Sequence, residues 1–151
     1  MVHKRLSGFY LLITFLLTVF LSSCNSGPEP IIPGKDMCVL CKMLIMDKRF
    51  GAELITSKGK IYKFDSVECL ISYLKENPRE ENPVKALYVI NHAQPGELID
   101  AESAFYLKSE KLPSPMGGNL SAVKTKETID TYFSEYGGEI RTWEQTFQAF
   151  Q

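Results

Sequence analysis

The sequence predicts an α+β fold: two similar small ββαβ units packed together, with one more helix at the C-terminal end. Three observations lead there. Short strand-like runs bounded by turn residues alternate with two helical stripes. The order strand–strand–helix–strand occurs twice. A shift of 59 residues lays Phe64 on Val123, Ser66 on Thr125, Glu68 on Glu127, Leu70 on Ile129, Tyr73 on Tyr132 and Leu74 on Phe133.

The first unit opens with Ala52 to Thr56, a strand followed by the turn residues Ser57-Lys58-Gly59. Ile61 to Phe64 is the second strand. Asp65 followed three residues later by Glu68 is a helix start. Val67, Leu70, Ile71 and Leu74 then recur at the helical spacing, and Asn77-Pro78 stops the helix. Ala86 to Ile90 is apolar throughout and reads as a buried strand.

In the second unit, Ala104 to Leu107 is a strand, Leu112 to Asn119 a Pro/Gly-rich loop and Leu120 to Val123 a strand. Thr125 to Tyr136 is a helix with Ile129, Tyr132, Phe133 and Tyr136 on its stripe, ended by Gly137-Gly138. Glu139 to Thr142 alternates like a strand. Thr142-Trp143-Glu144-Gln145 fits a capping box for a last helix over 142–151. The units run over about residues 36–92 and 98–143 of a domain spanning 36–151. Each is near the lower size limit for an independent core, so the two should share a packed surface.

Composition sets bounds on function. The chain has 151 residues with 44% hydrophobic and 23% charged side chains, the mix of a folded globular protein. A formal charge of −1 gives no basic field to hold nucleic acid. Four cysteines are too few for a disulfide scaffold.

Residues 1–23 read as an export leader. His3-Lys4-Arg5 is a basic start, and Gly8 to Leu21 is an apolar run too short to span a bilayer comfortably. It ends in Leu21-Ser22-Ser23-Cys24, small residues before a cysteine, as in a bacterial lipoprotein signal. That pattern places a lipid on Cys24, with cleavage before it, and acyl chains of this number anchor stably. Residues 24–35, rich in proline and glycine, then read as a flexible tether.

The chemistry-bearing residues are sulfurs. Cys38, Cys41 and Met43 form C-x-x-C-x-M, which can bring two thiolates and a thioether to one ion. Soft ligands of this kind favour Cu(I). Cys69 lies in the first turn of its helix, about 150° from the apolar stripe, at 100° per residue. There the helix N-terminus favours thiolate. Met116, on the Pro/Gly-rich loop, is a further thioether candidate. Met46 follows Ile45 in an apolar patch and reads as core, and His92 reads as an ordinary residue at a strand end. Two other chemistries compete. One is a thiol–disulfide oxidoreductase using Cys38 and Cys41. The other is a structural zinc site of Cys38, Cys41, Cys69 and His92.

Taken in order, the lipoprotein signal, the Cys38 to Met43 motif, the Lys58-Gly59-Lys60 turn and the run from Tyr62 to Leu70 resemble the NosL family. These are the nitrous oxide reductase accessory lipoproteins. Pro115-Met116-Gly117 and the following strand and helix resemble the same family. The resemblance implies two ββαβ units related to those of the organomercurial lyase MerB. It implies a Cu(I) chaperone rather than an enzyme, held to the inner or outer membrane by its lipid and facing the periplasm. Its partners would be a membrane copper source and a cuproenzyme acceptor, nitrous oxide reductase. Cys38, Cys41, Met43 and Met116 match the copper candidates, and Cys69 matches the cysteine that follows Phe64-Asp65. Ser66 departs from the family, which commonly has a second acid there.

Overall fold

A computed structural model describes residues 27–78 and 83–150. The leader and the expected lipidation site, Cys24, lie outside them. Strands β1 (Ala52–Thr56), β2 (Ile61–Phe64), β3 (Val84–Ile90) and β4 (Leu98–Asp100) form an antiparallel sheet in the order β2-β1-β3-β4. Helix α1 (Val67–Glu76) joins β2 to β3. Strands β5 (Phe105–Lys108), β6 (Leu120–Val123) and β7 (Glu139–Arg141) form a second antiparallel sheet, β6-β5-β7, and helix α2 (Lys126–Tyr136) joins β6 to β7. Helix α3 (Trp143–Ala149) follows. Among the described residues no helix is long and apolar enough to cross a membrane.

The two sheets repeat one topology. In each, the first strand is central, the second lies on one side, and the strand after the helix lies on the other. The helix caps repeat too: Ser66 accepts a hydrogen bond from the Cys69 amide, and Thr125 accepts one from the Thr128 amide. Each cap is worth about 1 kcal/mol. At α3 the full capping box between Thr142 and Gln145 is present.

The halves join at the end of β3. Asn91 bridges to Ala122 in parallel, and the His92 amide donates to the Ala122 carbonyl at 2.8 Å. The main core crosses this seam. It gathers Leu54, Phe64, Leu70, Ile71 and Val89 from the first half, and Tyr106, Leu120, Ala122 and Trp143 from the second. Helix α1 therefore packs against β1 and β2 and also against β6. A smaller core of Leu107, Leu112, Val123 and Ile129 lies under α2.

Several details depart from the sequence reading. Strand β4, three residues long, was not anticipated. Strand β3 begins at Val84 and β5 at Phe105. On α2 only Ile129 is buried, while Phe133 faces solvent, because the second half gives that helix little surface to cover. Met46 is not in the core but is 67% exposed, since its neighbour Ile45 takes the inward position.

The expected flexible tether is fastened over much of its length. The Glu29 amide donates to the Glu53 carboxylate at 3.1 Å, and Ile31 is buried. Lys63 Nζ donates to the Pro30 carbonyl and to Asp36 Oδ2, both at 2.9 Å. The Gly34 amide donates to the Ile45 carbonyl at 2.8 Å. Backbone groups paired with Glu53, Lys63 and Ile45 hold this arm in place, despite its proline and glycine content.

Candidate metal centre

The site begins with a short hairpin. Met37 and Leu44 form an antiparallel bridge. The Cys38 amide donates to the Met43 carbonyl at 2.9 Å, and the Lys42 amide donates back to the Cys38 carbonyl at 3.0 Å. Closing so tight a loop puts Lys42 in the left-handed region, with φ of 62°. The Val39 amide donates to the Lys63 carbonyl at 2.9 Å, which pins the loop to β2. Cys38 points inward and is buried, while Cys41 is half-buried at the edge.

Strand β2 runs directly into α1 through Asp65 and Ser66. That turn carries Cys69, in the first turn of α1, back to the hairpin. The ligand atoms of Cys38, Cys41 and Cys69 all lie within 4.8 Å of one another. All three are free thiols. Cys69 is buried although it lies off the apolar stripe, because its side of α1 faces the hairpin that carries Cys38 and Cys41.

Three sulfurs this close share their protons. The Cys69 thiol donates to the Cys38 sulfur and holds its pKa far below the ordinary thiol range. Burial opposes that shift, and the amides of Cys41 and Asp65 and the Cys41 thiol reinforce it. Cys69 is pushed up because its proton is engaged with Cys38, because it is buried, and because a negative sulfur lies beside it. Burial raises Cys41 first, and its bond to Cys38 raises it further. The expectation that the helix N-terminus makes Cys69 the thiolate is thus corrected. Cys38 collects most of the donors, so the charge settles there. Burial also raises the Asp65 carboxyl, followed by the charges of Cys38, Asp47 and Glu68.

The two methionine candidates are placed differently from the thiols. The Met43 amide bonds the Cys41 sulfur, while its side chain is 49% exposed. Met116 is 41% exposed on a loop fastened to α1. Glu68, whose sequence position suggested a capping role, is buried instead. Its Oε1 accepts from the Ser114 hydroxyl and from the Leu120 amide at 3.4 Å. Ser114 Oγ accepts the Asn119 amide at 2.9 Å, which closes the loop on itself. The roles of Asp65, Ser66 and Glu68 around the thiols escaped the sequence reading. The only hint was a run of polar residues where the helix packs on both faces.

His92 is not part of the cluster. Among the described residues the metal-type grouping contains the three cysteines alone. His92 Nδ1 lies 3.1 Å from the Tyr132 hydroxyl, and its ring meets Phe50 edge-on at 5.0 Å. The four-ligand zinc set proposed from sequence therefore does not assemble. For a dithiol enzyme, the cysteine pair sits in a hairpin rather than at a helix N-terminus, with a third thiol packed against it. Three thiols with a half-buried edge fit copper, a soft ion well served by thiolate.

The chain is 25% identical over 152 aligned positions to the copper-binding lipoprotein NosL of Stutzerimonas stutzeri, covering 91% of this chain and 80% of the relative. The crystal structure of the copper chaperone NosL from Shewanella denitrificans shares the fold, with a TM-score of 0.68 and 22% identity. The match covers 80% of this chain and 95% of the other. The sequence profile of the family itself matches residues 31–150, and the chain belongs to the NosL family.

Proposed function

We propose that this chain is a membrane-anchored, periplasm-facing Cu(I) carrier that passes copper to nitrous oxide reductase, or to another cuproenzyme, by thiolate and thioether exchange. The observation that carries the reading is the grouping of Cys38, Cys41 and Cys69 within 4.8 Å, two of them buried and Cys41 at the edge. Cys38, whose pKa its neighbours hold down, would take the metal first. Cys69 and Cys41 follow as their protons leave. Cys41, half-buried, is the ligand an incoming sulfur can displace. Met43, two residues after Cys41, and Met116, on the loop that Ser114 ties to Glu68, are both exposed and would offer thioethers to the ion during exchange. The ion enters and leaves as Cu(I), so no redox turnover is involved and the protein acts as a carrier rather than an enzyme. The export leader and Cys24 support lipid anchoring, as does the word lipoprotein in the name of the Stutzerimonas relative.

The test is made in cells that lack the chain and still make the reductase. They should consume nitrous oxide poorly and contain copper-deficient reductase. The intact chain should restore both, Cys38→Ser and Cys41→Ser together should not, and Cys24→Ser should restore them poorly. Full copper loading by the variant with both Cys38→Ser and Cys41→Ser would refute the carrier role.

A further inference from the structure

The hairpin that carries Cys38 and Cys41 has a second face. Cys38 and Ile45 point into the core, while Met37, Leu44 and Met46 point out, exposed by 55%, 48% and 67%. Met37 and Leu44 stand opposite each other in the bridge, and Leu44 and Met46 are two residues apart, so the three share one side. The bond from the Gly34 amide to the Ile45 carbonyl lays the arm beside them, which adds the exposed Ile32. Pro33 and Met46 line one shallow depression with Asp47, Lys48 and Arg49. Apolar side chains gathered in this way mark an interaction surface.

We propose that this face rests on the lipid bilayer that holds the Cys24 anchor. The proposal builds on the lipid-anchored part of the function proposed above. Two further observations select the bilayer as the occupant. The first is the length of chain between anchor and fold. Among the described residues Glu29 is the first one fastened, by Glu53, and Lys63 lies 3.9 Å from its carboxylate while also holding Asp36 at the hairpin stem. Five peptide steps separate Cys24 from Glu29, a reach of at most about 18 Å. That is only about half the width of the domain, whose radius of gyration should be roughly 13 Å. The hairpin stem must therefore stay near the membrane.

The second observation is charge. Lys35, Lys42 and Lys48 are exposed along the same stretch. The acids there are engaged, Asp36 with Lys63 and Asp47 with Arg49. A basic rim around an apolar centre suits an anionic lipid surface, although the whole chain carries a formal −1. Seated in this way, the hairpin keeps the thiol edge close to the bilayer, where a membrane-borne copper source would meet it.

The test uses the full lipidated chain in vesicles containing anionic lipid, with hydroxyl-radical oxidation read by mass spectrometry. A four-residue protease site that replaces residues 25–28, leaving the tether length unchanged, releases the domain from the same vesicles for comparison. Met37 and Met46 should be several-fold less oxidised on the vesicles than after release. Met116 and Phe133, exposed on the second half, should change little. Leu44→Lys with Met46→Lys should abolish the protection. Equal oxidation before and after release would overturn the proposal, as would protection that arises only when a soluble acceptor protein is added. A chain with no acyl group in its intact mass, which does not float with vesicles, would overturn the anchored reading itself.

Discussion

Ser114, in the loop that carries Met116, donates its hydroxyl proton to the buried carboxylate of Glu68, the residue before Cys69. This bond ties the second half of the molecule to the helix that supplies a metal-site thiol. Ser114→Ala removes that bond and leaves the Asn119 amide without its acceptor. The loss should be about 1–3 kcal/mol, read as a lower urea midpoint with unchanged slope. A variant as stable as the parent would show that the tie carries no net energy.

Gly138 is held more tightly than its neighbour Gly137. Both have positive φ, at 106° and 63°. A Cβ at Gly138 would sit 2.1 Å from the Lys108 carbonyl oxygen, whereas nothing lies within 4 Å of one at Gly137. Gly137→Ala should cost about 1–3 kcal/mol for backbone strain alone, because φ 63° with ψ −165° is a region ordinarily open only to glycine. Gly138→Ala should cost more, because β5 must move. Equal thermal midpoints for the two variants would contradict this.

Glu53, fully buried on β1, gives the fold a pH dependence. Burial pushes its carboxyl up to about 7. The folded chain therefore keeps this proton over a range in which the unfolded chain has lost it. Its contribution to stability is complete below the unfolded value, about pH 4.3, and is lost as pH rises through about 7. Glu53→Gln keeps an acceptor for the Glu29 amide without the charge. It should be more stable than the parent at pH 8, by about 1–3 kcal/mol, and nearly equal to it at pH 5. Urea unfolding at the two values decides the matter, and a variant weaker at both would contradict the assignment.

Much of this architecture was legible in the sequence because it rests on local signals. The stripe Val67, Leu70, Ile71, Leu74 marks α1, and its start was legible to within a residue, although the capping side chain is Ser66 rather than the Asp65 that the sequence pointed to. The spacing of Cys38 and Cys41 already puts them on one turn. What the sequence hid depends on surfaces that meet across the seam. Glu68 reads as a helix-start acid until β6 covers it. The arm from Glu29 reads as linker because its attachments are backbone groups meeting Glu53 and Lys63, far along the chain. Met46 looks like core in an apolar run, and only the hairpin register decides that Ile45 turns inward.

The sharing of protons among the thiols predicts how copper binding depends on pH. Cys38 is lowered while Cys41 and Cys69 are raised, so at neutral pH one thiolate and two thiols await the metal. Binding to all three sulfurs should release two protons at pH 7, and affinity should rise with pH until those two are lost without metal. Calorimetry in buffers of different ionisation enthalpy counts them. Release of three protons would show that Cys38 is not ionised beforehand.

The central claim is that three thiols make one Cu(I) site. An anaerobic titration of the reduced chain against a chromogenic Cu(I) chelator tests it most directly, repeated with Cys38→Ser, Cys41→Ser, Cys69→Ser, Met43→Leu and Met116→Leu. The account predicts tight binding that each thiol change weakens by orders of magnitude and each methionine change weakens less. Competition-resistant Cu(I) binding that survives loss of Cys38 and Cys69, or no binding by the reduced chain at all, would contradict it.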